Sequence, residues 1–438
     1  MLNQWIFKRI DNSALIVFRI IFGFLIVAQS WGSIFTGYVK NRILPAKFTF
    51  NFIGFDFIQP LPGIWMYLFF ILMGIFGLGV MLGYKYRISI TMFTVMWLYT
   101  YLMQKTGYNN HYYLLILLCV FMMIVPANRY FSIDAKKNPE LKSNSMPNWV
   151  PIVFILQMGV FYTFAAIAKL YPDWLDGTVA TNLMRSKSDY FLIGSILQQK
   201  WVIWSIVYFG IFFDFLIVPL MLWKKTRKFA FIAAVFFHLF NSVVFQIGIF
   251  PYLGIGLFLF FFPPKTLQQI FFKQKDFYDQ GEIHLPKYKN TLIYFLFIWF
   301  AVQLFLPLRH WFIKGDVLWT EEGHRMSWRM MLRNRGGYST FKIVDKKTGK
   351  EKIIDKKDYL TSRQITATAT KPDIIWQFAQ HLKKEYAEKG KDIAVYVKAY
   401  TRVNGHDAKL LIDPEVDMAE AKWNYFGHND WILLYDEN

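Results

Sequence analysis

Residues 61–83, LPGIWMYLFFILMGIFGLGVMLG, form a run of 23 residues without one charged side chain. A helix of about 20 apolar residues spans the hydrocarbon core of a bilayer. Eight more apolar runs bring the candidates to nine: 13–37, 61–83, 88–104, 111–126, 148–171, 201–223, 228–248, 250–263 and 291–307. The sequence therefore predicts a polytopic α-helical membrane protein with about nine transmembrane helices.

The composition of the 438 residues excludes several other classes of protein. Hydrophobic residues make up 55% of the chain and charged residues only 18%, and the mean hydropathy is +0.26. A soluble protein cannot bury so much apolar surface, and a disordered chain would contain far less of it. The single cysteine, Cys119, excludes a disulfide scaffold, and we interpret it as a small buried hydrophobic residue.

The charges divide the chain into a transmembrane domain, 1–307, and a soluble domain, 308–438. The first carries 26 Lys and Arg against 11 Asp and Glu, and the second carries 23 against 19. With nine spans, one set of connecting segments holds 17 basic residues and the other holds 7. The positive-inside rule then places the N-terminus in the cytoplasm and residues 308–438 in a periplasm or lumen. Much of the net charge of +19 is thus a topology signal, and we expect no nucleic-acid partner.

The pattern of residues 308–438 predicts a mixed α/β domain. The segment FKIVDKKTGKEKIID, residues 341–355, predicts a β-hairpin. Residues 371–390 predict an amphipathic helix that begins at a proline and ends at a glycine. Residues 393–400, IAVYVKAY, predict a strand with one apolar face, and an Asn-Gly turn follows it.

Ionisable side chains within apolar spans are functional candidates because they are costly in a bilayer. We interpret Arg19 and Asp214 as a structural ion pair that holds two helices together. Lys169 ends the fifth span in FYTFAAIAKLYPDWLDG and precedes Tyr171 and Trp174, which are typical of an interfacial aromatic belt. Two interpretations stay open: a lysine that extends to water, or a partly desolvated amine that acts as a general base.

Residues 105–115, KTGYNNHYYLL, place His111 directly after Asn110 at the predicted outer start of the fourth span. A histidine at a membrane interface is commonly a satisfied polar group, and the alternative is a functional side chain.

A polar stripe marks the seventh span, where His238 and Asn241 lie three residues apart on one helical face, with Gln246 two turns beyond His238. A polar stripe on an apolar helix is expected to line a cavity. Lys169, His111 and Gln246 all lie towards the predicted outer side. The sequence therefore predicts a site that is open to both the membrane and the exterior.

Several long strings resemble the vitamin K-dependent γ-glutamyl carboxylases, in particular a bacterial-type homologue with an HTTM membrane domain. The resemblance runs from about residue 14 to about residue 425 and rests on PLPGIWMYLFFILMGIFGLGVMLGYKYRIS, KTGYNNHYYLL, ANRYFSID, AKLYPDWLDG, FHLFNSVVFQIGIF, FLPLRHWF, SWRMM and LIDPEVD. It implies a carboxy-lyase that uses reduced vitamin K or menaquinol, O₂ and CO₂, without a metal. Its partners would be the lipid bilayer and a protein or peptide that contains glutamate.

The resemblance also implies roles for individual residues. Lys169 matches the family's base towards the hydroquinone, and His111 matches the histidine assigned to carboxylation, with Asn110 as its neighbour. His238 and Asn241 match an HxxN motif and are expected to line the site together with the nearby Gln246.

Three departures from the animal enzymes are visible in the sequence. The part after the last predicted span is shorter than theirs, so that their docking of a propeptide is not implied here. A single cysteine cannot form the disulfide that joins their two parts, and TEEGHRMSWRMM places His324 and Arg325 where the animal enzymes have other residues. Two alternative functions stay open at this point. One is a quinol epoxidase or oxygenase without carboxylation, and the other is a non-enzymatic membrane protein that binds or transports peptides.

Overall fold

The computed structural model describes residues 2–437, and long apolar helices dominate the part before residue 309. The helices of this part are α1 (Leu2–Phe7), α2 (Ser13–Phe35), α3 (Ile64–Leu82), α4 (Tyr86–Met103), α5 (Asn110–Ile124), α6 (Ile133–Lys137), α7 (Trp149–Ile167), α8 (Pro172–Leu175), α9 (Thr178–Arg185), α10 (Gly194–Leu197), α11 (Lys200–Leu222), α12 (Arg227–Phe245), α13 (Phe250–Leu257), α14 (Pro264–Phe271) and α15 (Lys289–Leu308). Two short strands, β1 (Arg9–Asp11) and β2 (Ser145–Pro147), pair antiparallel.

Six helical segments within residues 2–437 are long and apolar enough to cross a membrane: α2, α3, α7, α11, α12 and Lys289–Phe312. They confirm a polytopic helical membrane protein. The other three predicted spans coincide with α4 and with the shorter apolar segments Asn110–Ile124 and Phe250–Phe261. A helix of 15 residues such as α5 is only about 22 Å long, less than the hydrocarbon core. The number nine therefore stays a prediction.

The segments that connect the helices gather at two ends of the bundle. At one end, β1 pairs with β2, and the buried Asp11 forms an ion pair with Lys275. At the same end, Asp134 accepts hydrogen bonds from the main-chain N–H groups of Lys85 (2.8 Å) and Tyr86 (3.0 Å). We call this end, which the sequence predicts to be cytoplasmic, the inner end. The part of the chain after residue 308 lies at the opposite, outer end. Its assignment as a soluble domain and the orientation in the membrane stay predictions.

The C-terminal part contains a four-stranded antiparallel sheet in the order β4-β3-β5-β6. Its elements are α16 (Val317–Thr320), β3 (Arg335–Asp345), β4 (Glu351–Ile353), α17 (Ser362–Thr370), α18 (Pro372–Glu388), β5 (Ile393–Val403) and β6 (Lys409–Leu410). The predicted hairpin, helix and strand are all present. The Asn404-Gly405 turn has φ angles of +53° and +96°, and the left-handed region is one that these two residue types adopt at low cost.

The loop between α2 and α3 attaches the sheet domain to the helical bundle. Phe50 of this loop is fully buried in the hydrophobic core of the sheet domain. Gln364 donates to the carbonyl oxygen of Phe48 at 2.6 Å, and Gln377 donates to that of Asn51 at 3.1 Å. Apolar burial and hydrogen bonds to the loop backbone thus hold the domain over the outer end.

The predicted ion pair between Arg19 and Asp214 is wrong. Arg19 donates instead to three carbonyl oxygens beyond the end of α5, those of Ala127 (3.0 Å), Tyr130 (3.3 Å) and Phe131 (2.6 Å). Carbonyl groups that follow a helix lack intrahelical donors, and a guanidinium with several N–H groups can satisfy them together. Asp214 pairs with Lys169 instead. Cys119 is buried and free, as predicted.

Candidate active site

Residues 321–335 connect α16 to β3 and lie over the outer end of the bundle; we call them the 321–335 loop. Four of its residues that are not glycine have positive φ angles: Glu321 (+62°), Met326 (+58°), Trp328 (+58°) and Met331 (+56°). The left-handed conformation costs a residue with a side chain about 1–2 kcal/mol. Contacts from outside the loop must therefore hold it in this shape, a situation that is common at functional sites.

Side chains from the helical part supply those contacts. Four side chains bind the backbone of the loop. The Tyr108 hydroxyl accepts from the Met326 N–H at 2.5 Å, and the Asn110 amide donates to the Arg329 carbonyl at 3.0 Å. Tyr171 donates to the Leu332 carbonyl, and Arg309 donates to the Arg325 carbonyl. Trp328 is 1% exposed, and its ring centre lies 5.2 Å from that of Tyr113 and 5.8 Å from that of Phe161. The loop is therefore anchored in the bundle by its backbone and by one large side chain.

A cavity of about 210 Å³ lies between the start of α5 and the 321–335 loop. It is lined by Tyr108, Asn109, Asn110, His111, Ile247, Glu321, His324, Arg325, Arg329, Met330, Met331, Arg333 and Lys371. The structure thus brings together Asn110 and His111, two of the predicted site residues, with His324 and Arg325 of the soluble domain.

His111 is oriented by its neighbour Asn109. The Asn109 side-chain oxygen accepts from the main-chain N–H of His111 at 2.8 Å and lies 2.6 Å from Nδ1 of its ring. Because an amide oxygen only accepts hydrogen bonds, Nδ1 carries a proton, and in the neutral ring Nε2 keeps a free electron pair. The ring packs on Phe250 at a centroid distance of 4.9 Å. His111 is therefore a rigidly held polar group in the wall of the cavity.

Asp373 of α18 links the cavity to the helical bundle through two ion pairs. Arg325 binds both carboxylate oxygens of Asp373, at 2.7 and 3.2 Å, and Lys105 lies 2.7 Å from one of them. Burial alone would raise the pKa of Asp373, but the two cations hold it well below its usual range. Asp373 is therefore charged at every physiological pH.

Glu321, which lines the cavity, forms ion pairs with two arginines of the C-terminal part. Both of its carboxylate oxygens accept hydrogen bonds from Arg333, and Arg335 lies 3.6 Å away. Burial alone would raise the pKa of Glu321, but Arg333 and its cationic neighbours lower it well below the usual value. The cavity is thus bordered by permanently charged groups.

Lys169 does not line this cavity but belongs to a separate buried group inside the bundle. Its ammonium pairs with Asp214 of α11, donates to the Ala165 carbonyl at 3.2 Å and lies 5.5 Å from the ring centre of Trp174. Lys169 is 8% exposed and Asp214 is 5% exposed. The two opposite charges are thus buried together between helices, and the role of Lys169 stays a prediction.

His238 belongs to the same helix interface as Lys169. Its Nε2 lies 3.0 Å from the hydroxyl oxygen of Tyr162. Tyr162 precedes Lys169 by seven residues, about two helical turns. A Cβ atom at Gly254 would lie only 2.6 Å from the His238 ring, so that only glycine fits there. Since α13 carries both Gly254 and the Phe250 that contacts His111, it separates the two polar groups by one helix.

Asn241 and Gln246 do not join either group. Asn241 is partly exposed, and Gln246 is exposed at the end of α12 with a φ of +50°. Ile247, the next residue, is the one that lines the cavity. The role of these two side chains in the site stays a prediction.

The positive charge of the site and the partner of Lys169 were not predicted from the sequence. Arg325, Arg329 and Arg333 recur every fourth residue in the 321–335 loop, a signal that the balanced charge of the whole domain conceals. Asp214 and Tyr162 have no comparable signal, because their positions depend on helix packing. Within residues 2–437, no group of three or more His, Cys, Asp or Glu side chains has a geometry that could hold a metal ion.

Two families match the chain, one after the other. The HTTM domain family matches residues 7–265, and the family described as the lumenal domain of vitamin K-dependent gamma-carboxylase matches residues 288–438. No solved structure matches the chain. The matches suggest a carboxylase that uses reduced vitamin K with O₂ and CO₂ and acts on a substrate containing glutamate. The chain belongs to the vitamin K-dependent γ-glutamyl carboxylase family.

Proposed function

We propose that this protein couples epoxidation of menaquinol or reduced vitamin K by O₂ to the addition of CO₂ at peptide glutamate. The observation that carries the proposal is the cavity between His111 of the membrane domain and the cationic 321–335 loop of the soluble domain. A glutamyl side chain needs such a cationic site that is reached from water, whereas the quinol needs access from the membrane. The proposed reaction requires the two to meet, and one helix, α13, lies between the cavity and the buried group around Lys169.

The cavity suits the glutamyl half of this reaction. Arg325 and Arg333 are positioned by Asp373 and Glu321 to attract a carboxylate without moving. Asn110 and His111 line the same cavity, so that the substrate carbon would lie beside them while the arginines bind its carboxylate. We assign to His111, held by Asn109, a place beside that carbon, where the electron pair of its Nε2 can accept a hydrogen bond or a proton during the addition of CO₂.

The group around Lys169 suits the quinol half. Trp174 and Tyr162 provide aromatic surface beside the lysine and its Asp214 partner, and the surrounding helices exclude water. We assign to Lys169 the removal of a hydroxyl proton from the quinol, with Asp214 as the acceptor of the proton that the ammonium first carries. The reduced quinone, once oxygenated, supplies the strong base that removes the γ proton of glutamate, and a dry site protects that base from water.

Purified protein in lipid nanodiscs, supplied with menaquinol, O₂, labelled bicarbonate and a glutamyl peptide, tests the proposal. The wild type is expected to form quinone epoxide and labelled peptide. Lys169→Ala is expected to lower both rates by about 10²–10⁴-fold, the usual contribution of a general base. Lys200→Ala removes an exposed lysine at the start of α11 and is the matched control.

The two products separate the proposal from its alternatives. Epoxide without label would reduce the protein to a quinol epoxidase, and peptide binding without either product would indicate a binding protein. His111→Ala is expected to lower labelling more than epoxide formation. Epoxidation that survives Lys169→Ala would contradict the role given to the lysine.

A further inference from the structure

The cations around the cavity outnumber the carboxylates. The cationic side chains are Lys105, Arg325, Arg329, Arg333, Arg335 and Lys371, and the carboxylates are Glu321 and Asp373. Asp373 is shared by two of these cations and Glu321 by two others. In the part of the chain that the structure describes, residues 2–437, Arg329 and Lys371 have no carboxylate oxygen within 4.0 Å.

Arg329 is held in place without a counter-charge. It is 9% exposed, its carbonyl accepts from Asn110, and its Nη1 lies 3.4 Å from Nε2 of His310. Its buried Nε has no hydrogen-bond partner in the described residues. A buried guanidinium with a free N–H group is unfavourable unless an acceptor binds it, and an anion is the acceptor that also balances its charge.

Lys371 meets the same cavity from the soluble domain, directly before α18. Burial and the nearby Arg325 disfavour the charged form of Lys371 and lower its pKa to about 8. Two cations without carboxylate partners thus line one cavity whose other cations are already paired. One substrate carboxylate would not balance them.

The proposed reaction changes the charge of the ligand at this place. A C–H bond of the γ carbon breaks, its proton leaves with the base, and a C–C bond to CO₂ forms. The side chain therefore passes from one carboxylate to two on the same carbon. We infer that Arg329 and Lys371 form a second anion subsite that binds the added carboxylate, so that the cavity selects malonate-type dicarboxylates over monocarboxylates.

This inference rests on the proposed function and predicts that product binds more tightly than substrate. An additional charge-assisted contact corresponds to about a tenfold gain in affinity or more. The carboxylated peptide is therefore expected to leave slowly and to leave faster at high ionic strength, since salt screens the added contacts.

Equilibrium binding of two peptides to the full-length protein in nanodiscs tests the subsite. The peptides are identical except that one has γ-carboxyglutamate where the other has glutamate. The wild type is expected to bind the carboxylated peptide at least about tenfold more tightly. Arg329→Gln and Lys371→Gln are each expected to reduce this preference to less than about threefold, mainly by lowering the affinity for the carboxylated peptide. Lys398→Gln, at an exposed position of β5, is the charge-matched control and is expected to keep the preference.

Equal affinity of the wild type for the two peptides would overturn the inference. Glutamine variants that lower the affinity for both peptides equally would overturn it as well. The charge-conserving variants Arg329→Lys and Lys371→Arg are expected to retain the preference, which keeps the test valid if a glutamine variant does not fold. No turnover is needed. Loss of the preference in an active carboxylase would contradict only the subsite, whereas a preference without carboxylation would contradict only the proposed function.

Discussion

The two ends of the helical bundle use buried charge in different ways. At the inner end, Asp11 pairs with Lys275 and accepts from the amide (2.9 Å) and hydroxyl (2.6 Å) of Ser13 and from the amide of Tyr278 (3.1 Å). At the outer end, Arg329 and Lys371 have no carboxylate partner in residues 2–437, and the loop beside them has four strained residues. The Asp11 group is satisfied by partners within the chain, which stability explains, whereas at the outer end we infer that a ligand supplies the missing negative charge.

The same contrast separates the two buried lysine–aspartate pairs. Asp11 has several donors besides its lysine. For Asp214, Lys169 is the one side-chain donor among the described residues, and Asp214 lies between helices with aromatic side chains nearby. The Asp11 pair therefore belongs to a local hydrogen-bond network, which suits a structural role. The Lys169 pair is one contact between two helices, and we propose a role in proton transfer only for this pair.

The largest expected effect comes from removing one carboxylate at each end. Asp11→Ala and Asp373→Ala each leave a buried cation without its partner and are expected to destabilise the fold by about 3–5 kcal/mol. Only Asp373→Ala is expected to weaken binding of a glutamyl peptide as well, because Asp373 positions Arg325. Thermal unfolding and peptide titration of both variants measure the two effects. A similar loss of peptide affinity in Asp11→Ala would contradict the division into a structural end and a binding end.

The pH dependence of anion binding is expected to be smaller and to appear only at the outer end. Lys371 has a pKa of about 8, lowered by burial and by Arg325 and Arg333, with Glu321 and Asp373 acting in the opposite direction. Its ammonium is lost as the pH rises through this value, so the affinity for the carboxylated peptide is expected to fall about tenfold between pH 7 and pH 9. Binding near pH 8 is accordingly accompanied by proton uptake.

Lys371→Arg separates this titration from that of Lys105, which burial also brings to a pKa of about 8. The arginine stays charged, so the fall in affinity above pH 8 is expected to disappear. A fall that persists in Lys371→Arg would assign the pH dependence to Lys105 instead.

The smallest expected effect distinguishes two tyrosine hydroxyls. Tyr108 binds Met326 of the strained loop, whereas Tyr86 donates to the Met122 carbonyl at 2.6 Å towards the inner end. Each change to phenylalanine is expected to cost about 0.5–1.5 kcal/mol of stability. Only Tyr108→Phe is expected to weaken peptide binding, because it releases the 321–335 loop. Peptide affinities that change equally in the two variants would show that the loop does not depend on this contact.

Local patterns in the sequence predicted much of the secondary structure. The hairpin around Gly349, the helix that begins at Pro372 and the strand with Val395 inward all occur as expected, because their turn residues and apolar periods act over a few residues. The polytopic membrane class follows in the same way from the length and hydropathy of the apolar runs. The number of spans does not, because some of the apolar helices are too short for their length to show whether they cross the membrane.

The site was only partly predictable. His111 and Asn110 were found through their motif, and both line the cavity. The pairing of Arg19 with Asp214 was wrong, since the choice among buried partners depends on which helices touch and at what depth. Nothing in the sequence around Lys169 indicates that its partner lies 45 residues away on α11.

By itself, the sequence determined the membrane class and the helices and strands of the C-terminal part, because hydropathy and turn preference are local properties. The tertiary structure alone decided that Asp214 faces Lys169 and that Arg329 and Lys371 meet in one cavity, without a carboxylate partner among residues 2–437. The reason is physical: charge balance in a buried site is a sum over side chains from distant segments, and only folding brings those segments together.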